Sequence, residues 1–479
     1  MKRRHIVEKY DSIDIIGGGI IGTTLATELL REIRRQGLRT EVHLFEIRGQ
    51  LGIENTEKSF EGFRTYWFTP EEIRFYLTSI RAMRDLESYF GEDGRFEDDD
   101  DEKMRITANY RQLGYHYFLS EKEFGEARER KALFDSENVP IEFYTKDEAK
   151  EIGWIHNNFD LDAMVLDEDT WVYHHFDLDA WMTKDFDFNA IIPKATIRHY
   201  DIAGYVHVPI AGFISAGDFV ASYRAVFEKL GGKLHLNTEV VGLGIRGNRV
   251  NTLRYRFWPE SEKTQNDHGA LETKPTDYVV NAAGVWSDGL NQEILGEMLG
   301  VTPHRRFPVI VRSVEGYQPD HGMILLNQRV IRPDQDKLWL YFTPEVERPG
   351  IQETLPDDRT FDEYFFKYIF PVFCDKEKPF IRHAETLGLY SGIDSRGWMG
   401  HYADTPDERP LIGVPRPEKL ENYGVSIGYS GHGVQASIAA ALGLTHKILR
   451  LEDRPIVEIP GIYSASRDLS QTRPDYSRL

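Results

Sequence analysis

The hydrophobic pattern of the first fifty residues predicts a strand, a helix and a second strand. The run "SIDIIG" (12–17) is short, apolar and closed by glycine, which is typical of a buried strand. In "IIGTTLATELLREIRRQG" (20–37) the apolar residues recur at helical spacing, and Gly37 marks the end of the helix. "EVHLFE" (41–46) predicts a second strand that ends in an acid. The three elements form a βαβ unit.

Later segments repeat this alternation at wider spacing. "DFVASYRAVFEKLGGKLHLNTEVVGL" (218–243) predicts a helix, a Gly-Gly stop and a strand, whereas 301–345 is strand-like and rich in Val, Ile and Leu. The longest late helix is predicted at 434–451. Because strand–helix alternation flanks sheet-like middle segments, we expect a discontinuous α/β domain with an α+β domain threaded through it.

Length, net charge and cysteine count limit the partners and the location that can be expected for this protein. The chain has 479 residues, which favours two domains, and a net charge of −20, which argues against nucleic acid or an anionic membrane surface as the main partner. Its one cysteine, Cys374, excludes an intramolecular disulfide and favours a cytoplasmic protein. No apolar run is long enough for a transmembrane helix, although peripheral membrane contact and oligomerisation stay open. The pair His174-His175 has no evident third ligand, so we expect no metal site.

Three glycines between the first strand and helix indicate a phosphate-binding turn. In Gly17-x-Gly19-x-x-Gly22, the first glycine makes the turn, the second admits a pyrophosphate and the third allows close helix–strand packing. The helix N-terminus supplies N–H groups and a positive dipole end. Glu46, at the end of the second strand, can accept the hydroxyls of a ribose and would repel a 2′-phosphate. A dinucleotide other than NADP is therefore expected, but the pattern does not separate NAD from FAD.

Two later segments favour a flavin. In "YVVNAAGVWSDGL" (278–290) small residues follow a buried strand, which suits either close packing on a cofactor or an ordinary strand–helix junction. "GYSGHGVQASIAAALG" (428–443) places Gly431-His432-Gly433 at the start of an alanine-rich helix. The positive end of that helix suits the negative charge that accumulates on a reduced flavin, whereas a nicotinamide loses its charge on reduction.

With these motifs in place, the sequence resembles the D-amino-acid oxidase superfamily of FAD enzymes, which includes glycine oxidase and sarcosine oxidase. The resemblance spans most of the chain, from the N-terminal glycines through "KSFEGFRT" (58–65), "NTEV" (237–240), "NAAGVWS" (281–287) and "TPDERPLIG" (405–413) to "SGHG" (430–433). Within the superfamily, "KSFEGFRTYW", "VVNAAGVWS", "RVIRPD" and "GWMGHY" look most like the archaeal dye-linked L-proline dehydrogenases.

The resemblance implies a set of FAD contacts along the chain. The pyrophosphate would lie on the three glycines and the adenosine ribose on Glu46. The adenine would meet the backbone of Val240, and Arg64 would lie close to the isoalloxazine. The other implied contacts are Lys58 and Ser59 along the FAD, Ala283, Gly284 and Trp286 on its far side, and Gly431, His432, Gly433 and Val434 at the flavin pyrimidine edge.

The same resemblance implies that the FAD is not covalently attached. The cysteine that binds the flavin in sarcosine oxidases falls on Gly400, which has no side chain to react. Histidine attachment in other relatives comes from the segment after the second strand, and no histidine lies between His43 and His116. His432 remains, and its glycine neighbours suggest backbone contact with the cofactor.

The substrate side departs from the pattern of sarcosine oxidase. Tyr402 matches a tyrosine that touches the substrate in those enzymes, but Trp67 and Gln435 replace the arginine and lysine that hold its carboxylate. Arg332, in "VIRPD", is our candidate substitute because a planar guanidinium suits bidentate carboxylate binding; a surface arginine on a strand is an equal alternative. Our alignment places Trp339 where those oxidases carry a lysine that promotes reaction with oxygen, which favours a dehydrogenase; a slip of two residues would place Lys337 there instead.

The expected protein is an FAD-dependent dehydrogenase that oxidises the C–N bond of a small amino or imino acid such as L-proline, by hydride transfer to flavin N5. Its electron acceptor is a quinone, a dye or a partner protein. Oxidation of a 2-hydroxy acid or glycerol 3-phosphate, or a non-catalytic role as an FAD-holding electron-transfer subunit, stays open.

The expected fold is α/β, with a Rossmann-like FAD-binding domain and an interleaved α+β substrate domain that contains a large mixed sheet. The FAD-binding domain is expected at 1–90, 213–288 and 398–479, the last including a C-terminal tail; the substrate domain is expected at 91–212 and 289–397.

Overall fold

The structure is a computed structural model, and it describes residues 10–96, 105–163, 165–166, 199–258, 269–306, 310–313, 321–327, 329–334, 337–341, 350, 380–382, 395–396, 398–451 and 457–471. Cys374 and the pair His174-His175 lie outside these described residues.

The described helices carry apolar residues on the faces that they bury. In chain order they are α1 (Ile20–Arg35), α2 (Pro70–Arg84), α3 (Leu86–Phe90), α4 (Glu121–Glu129), α5 (Lys131–Ser136), α6 (Lys146–Lys150), α7 (Gly153–Asn158), α8 (Ala216–Lys229), α9 (Ser287–Leu295) and α10 (Gly433–Leu449). Short 3₁₀ turns lie at Gly91–Gly94, Gly284–Trp286, Gly461–Tyr463 and Leu469–Gln471. In the described part of the chain, no helix combines the length and apolar character needed to cross a bilayer.

The described strands fall mainly into two large sheets. In chain order they are β1 (Ser12–Ile16), β2 (Glu41–Phe45), β3 (Gly62–Arg64), β4 (Tyr115–Leu119), β5 (Glu142–Thr145), β6 (Val165–Leu166), β7 (His199–Tyr200), β8 (Gly204–Val208), β9 (Ala211–Phe213), β10 (Lys233–His235), β11 (Thr238–Arg246), β12 (Arg249–Phe257), β13 (Glu272–Pro275), β14 (Tyr278–Asn281), β15 (Thr302–Arg306), β16 (Ile310–Ser313), β17 (Met323–Leu326), β18 (Arg329–Asp334), β19 (Lys337–Tyr341), β20 (Ser395–Arg396), β21 (Gly400–Asp404), β22 (Leu411–Gly413) and β23 (Tyr423–Ile427).

The first sheet has the order β10-β2-β1-β14-β23-β22 and is parallel except for its last strand. Ile16 at the end of β1 pairs with Phe45 on one side and Asn281 on the other, so three strands end together. Helix α1 packs against α8 and α10. The predicted βαβ unit is confirmed, and the open carboxyl edge of such a sheet is where α/β proteins bind their ligands.

The second sheet has eight strands in the order β20-β16-β19-β18-β17-β4-β8-β5. Strands β17 and β4 run parallel, while the other pairs are antiparallel, so the expected large mixed sheet is confirmed. Strands of the two sheets alternate along the chain, as two interleaved domains require. The five domain segments themselves stay a prediction.

Candidate active site

A cavity of about 660 Å³ opens at the carboxyl edge of the parallel sheet, a volume typical of small-molecule sites. The starts of α1 and α10, the ends of β1 and β2, and strand β11 contribute to its walls. The predicted contact residues on this wall are Gly17, Gly19, Glu46, Ser59, Val240, Ala283, Gly284, Trp286, Tyr402, Gly431, Gly433 and Val434. Gly22, Lys58, Arg64, Arg332, Gly400 and His432 are not among the described residues that line it.

The steric environment explains the glycine differently at each of the three N-terminal positions. Gly17 has φ +105°, and a Cβ there would lie 2.5 Å from the carbonyl oxygen of Ala282. A Cβ on Gly22 would lie 1.9 Å from the carbonyl oxygen of Gly17, because helix and strand pack closely at this point. The space beside Gly19 is more open, since its Cβ would meet only the Thr56 hydroxyl at 3.3 Å. The backbone at Gly19 is therefore accessible to a ligand phosphate.

Two helix N-termini open onto the same cavity. Helix α1 begins at Ile20 and α10 at Gly433, and both first residues line the wall. The two helices pack together near these ends, where a Cβ on Gly433 would lie 3.8 Å from Ile21. The first turn of a helix carries N–H groups without intrahelical partners and partial positive charge. The cavity thus offers two separate places for negative charge.

Glu46 is held by backbone donors at the wall of the cavity. Its Oε2 accepts from the Gly18 N–H at 2.7 Å and its Oε1 from the Arg48 N–H at 2.8 Å. Burial raises the pKa of Glu46, and these two hydrogen bonds oppose the rise. Each carboxylate oxygen has a further lone pair, so the oriented group can still accept ribose hydroxyls.

Val240 lies at an irregularity in the hairpin of β11 and β12. Val240 pairs with Tyr255, but the next pair is Gly242 with Arg254, so Val241 is an extra residue. Such a bulge leaves a residue outside the ladder and re-aims the strand. The backbone around Val240, which lines the cavity, is therefore placed to meet a ligand.

The glycine turn, the oriented carboxylate and the paired helix ends match an established protein family. The family model described as FAD dependent oxidoreductase matches residues 13–189 and 177–446. This chain belongs to that family. Its cofactor is FAD, and the donors on the cavity wall fit that dinucleotide.

Solved structures share the fold at low sequence identity. L-proline dehydrogenase from P. horikoshii has 19% identity and a TM-score of 0.67, with 98% of this chain and 100% of that chain covered. Glycine oxidase from Geobacillus kaustophilus has 18% identity and a TM-score of 0.63, covering 96% and 99%. L-amino acid deaminase from Proteus vulgaris has 16% identity and a TM-score of 0.60, covering 98% and 96%. The search of curated protein sequences finds no match.

Tyr402 lines the FAD cavity beside the glycines of α10. A Cβ on Gly431, which has φ +84°, would lie 2.4 Å from the Tyr402 ring, so only glycine permits this approach. The Arg306 guanidinium lies 4.4 Å from the ring centroid. Burial raises the pKa of Tyr402, while Arg306 and a hydrogen bond with Tyr341 oppose the rise.

Arg332 is buried and is not among the described residues that line the cavity, and its burial excludes the alternative of a surface arginine. Only 3% of the residue is exposed. Its Nη1 donates to the carbonyl of Phe60 and to Glu61 Oε2, both at 3.0 Å. Burial raises the pKa of Tyr115, and Arg332 opposes that rise.

The two departures from the pattern of sarcosine oxidase hold the backbone of Arg64. Gln435 Oε1 accepts from the Arg64 N–H at 2.9 Å, and Trp67 Nε1 donates to the Arg64 carbonyl at 3.0 Å. The Arg64 guanidinium carbon lies 5.2 Å from the centroid of the Trp67 ring, and the centroid of the His432 ring lies 4.9 Å from it, with the two rings nearly perpendicular. Burial and Arg64 lower the pKa of His432 to about 3. The sequence alone did not reveal this role for Trp67 and Gln435.

Lys58 and Gly400 contact each other and are not among the described residues that line the cavity. Lys58 Nζ lies 3.1 Å from Glu54, and the Lys58 carbonyl accepts from Trp398 Nε1 at 2.8 Å. A Cβ on Gly400 would lie 3.3 Å from Lys58 Cβ. This contact joins the segment before β3 to β21, the strand that carries Tyr402.

Proposed function

We propose that this FAD-dependent oxidoreductase is a dehydrogenase that oxidises the C–N bond of a small amino or imino acid such as L-proline. The observation that carries the proposal is the FAD cavity with Tyr402 in its wall, together with the buried Arg332, whose Nη1 donates to the carbonyl of Phe60, the residue next to Ser59 on that wall. Bound FAD supplies a two-electron acceptor for the hydride of the substrate α-carbon.

In this proposal the chain binds and orients the substrate. Arg332 holds the carboxylate through charge-assisted hydrogen bonds, which are strong where water is excluded. Tyr402 fixes the substrate against the cavity wall, and the first turn of α10 stabilises negative charge at the flavin pyrimidine edge. The substrate amine enters neutral, and no protein base is assigned.

The comparisons support the class of substrate. The names of the structural neighbours refer to L-proline, glycine and L-amino acids, all small molecules that carry an amine and a carboxylate. A fold can host several chemistries, so the class is tested on the protein itself.

The test follows the flavin absorbance of the pure protein under anaerobic titration. We expect L-proline, sarcosine or glycine to bleach the flavin, with L-proline the first choice. Bleaching only by a 2-hydroxy acid or glycerol 3-phosphate would assign C–O oxidation instead. A flavin that none of these compounds reduces would favour an electron-transfer subunit.

We propose a dehydrogenase and not an oxidase because we align Trp339 on β19 with the lysine that promotes reaction with oxygen in sarcosine oxidases. Its ring lies 3.8 Å from the Arg332 guanidinium, and the two residues pair directly across β18 and β19. Lys337 pairs with Asp334 at the exposed start of the strand. Turnover in air should give little hydrogen peroxide, and fast peroxide formation without a dye would contradict this assignment.

We also propose that the FAD is held without a covalent bond. Gly400 offers no reactive side chain, and the His432 ring packs nearly perpendicular to the Trp67 ring, with 4.9 Å between the ring centroids. Acid precipitation should release the yellow colour into the supernatant. Colour that stays in the denatured pellet would show a covalent link and overturn the proposal.

A further inference from the structure

A carboxylate with no assigned role, Glu61, links Arg332 to the FAD-binding part of the molecule. Its Oε2 pairs with Arg332 Nη1 at 3.0 Å, and its Oε1 accepts from the Ala216 N–H at 2.7 Å. Ala216 is the first residue of α8, whose N-terminus favours a negative charge. Burial raises the pKa of Glu61, and Arg332 is the largest influence against that rise.

The backbone of Glu61 is also held in a specific and costly conformation. Its φ is +56°, which is unfavourable for a residue with a side chain. The Glu61 N–H donates to the Ser59 hydroxyl at 3.2 Å, and the Glu61 carbonyl accepts from the Ile214 N–H at 3.1 Å. Strained residues that the surroundings hold in place are common near functional sites.

The environment of Arg332 leaves one donor of its guanidinium without a partner among the described residues. Trp339 lies 3.8 Å and Phe213 4.3 Å from the guanidinium carbon, measured to the ring centroids, so both aromatic rings pack on the group. Nη1 donates hydrogen bonds to Glu61 and to the carbonyl of Phe60. Nε is buried and has no hydrogen-bond partner among the described residues. A buried donor of this kind favours an incoming acceptor.

We propose that Glu61 is a positioning residue: it fixes the guanidinium of Arg332 so that the Nε edge receives the substrate carboxylate. The inference rests on the proposed function, in which Arg332 binds that carboxylate. Glu61 acts through Arg332 and does not touch the substrate. Its second hydrogen bond, to α8, ties this orientation to the domain that binds FAD.

The experiment is a double-mutant cycle with Glu61→Gln, Arg332→Lys and the double variant. Glutamine retains an acceptor for Ala216 but removes the charge that orients Arg332. The substrates are L-proline and L-prolinamide, or glycine and glycinamide if the absorbance titration selects glycine. Glu137→Gln, which removes the carboxylate of an exposed pair with Arg74, is the matched control.

We expect Glu61→Gln to raise KM for the amino acid about tenfold or more, because Arg332 loses the charge-assisted hydrogen bond to Glu61 that orients it. KM for the amide should change little, since it carries no carboxylate. In the Arg332→Lys background, Glu61→Gln should add little, because its effect passes through Arg332. The control should match the wild type.

Two outcomes separate the inference from the proposed function. If Arg332→Lys raises KM but Glu61→Gln does not, or acts by the same factor in both backgrounds, the positioning role is overturned while the proposed function stands. If Arg332→Lys leaves KM unchanged, the carboxylate site of the proposed function is itself wrong. Should Glu61→Gln fail to fold, Glu61→Asp keeps the charge on a shorter side chain, and an unchanged KM in that variant also overturns the inference.

Discussion

The FAD cavity and the substrate side are built from different parts of the polypeptide. On the cavity wall, glycine backbone and helix N-termini supply most of the predicted contacts, as at Gly19 and Gly433. The proposed substrate side is built from side chains of strands that are far apart in the chain, with Arg332 on β18 and Tyr402 on β21. Backbone contacts suit a cofactor that the whole family shares, whereas side chains can change with the substrate.

The contrast extends to charge. The cavity presents two positive helix ends and the oriented carboxylate of Glu46, and its wall also carries the ion pairs Arg48–Glu54 and Arg256–Glu239. On the proposed substrate side, Arg332 pairs with Glu61 and Arg306 pairs with Asp404 at 2.8 Å. An ion pair fixes the orientation of both side chains, and removing either partner leaves the other charge unpaired. Substitutions on the two sides should therefore have separable effects, on FAD retention and on KM.

The largest effect is expected from Gly22→Ala. Its Cβ would lie 1.9 Å from the Gly17 carbonyl oxygen, so strand and helix must separate, at a cost of about 1–3 kcal/mol or more. We expect a lower Tm and loss of FAD, measured by thermal unfolding and flavin absorbance. Gly125→Ala, in α4 with no atom within 4 Å of the added Cβ, is the control. A Gly22→Ala protein with wild-type Tm and FAD content would contradict the packing argument.

Glu46→Gln should weaken FAD binding without changing substrate recognition. Loss of charge-assisted hydrogen bonds, each about 1.5–3 kcal/mol, corresponds to roughly a ten- to hundredfold higher Kd. Dilution followed by flavin fluorescence measures the released FAD, and KM is measured at saturating FAD. Glu41→Gln, exposed at the start of β2, is the control. Full retention of FAD would remove Glu46 from the cofactor site.

Arg332→Lys should have the opposite effect to Glu46→Gln: it should change substrate binding and leave FAD binding unchanged. Lysine keeps the charge but loses the planar fork, so KM for the amino acid should rise about tenfold while FAD content stays unchanged. Steady-state kinetics and the flavin absorbance of the same preparation test both statements. An unchanged KM would place the carboxylate site elsewhere, and a loss of FAD would show that the two sides are not separable.

The smallest effect concerns pH and His432, which lies where the two sides meet. Its pKa is about 3 in the folded protein and 6.5 ordinarily, so the unfolded chain takes up a proton that the folded one does not. The contribution of His432 to the free energy of unfolding is greatest above pH 6.5. It falls as the pH decreases toward 3, by at most about 1.4 kcal/mol per pH unit. Thermal unfolding of His432→Asn between pH 7 and pH 5 should show a smaller drop in Tm than the wild type. Equal drops would exclude a buried neutral His432.

The sequence by itself determined the features that depend on neighbouring residues. The predicted strands at 12–17 and 41–46 became β1 (Ser12–Ile16) and β2 (Glu41–Phe45), because hydrophobic periodicity and glycine turns act within a few residues. For the same reason, Gly17 and Gly22 have the steric roles expected of them, and the alanine-rich segment forms α10. The FAD family could be inferred from these local patterns.

Only the tertiary structure decided how the substrate side is assembled. Glu61 and Arg332 are 271 positions apart, and Arg64 and Gln435 are 371 apart, so no local pattern relates them. Strand order and register bring Trp339 onto Arg332, and Phe213 of β9, distant in the chain, packs on the same buried guanidinium. Burial sets the pKa of each group and its need for a partner, and burial is a property of the folded chain.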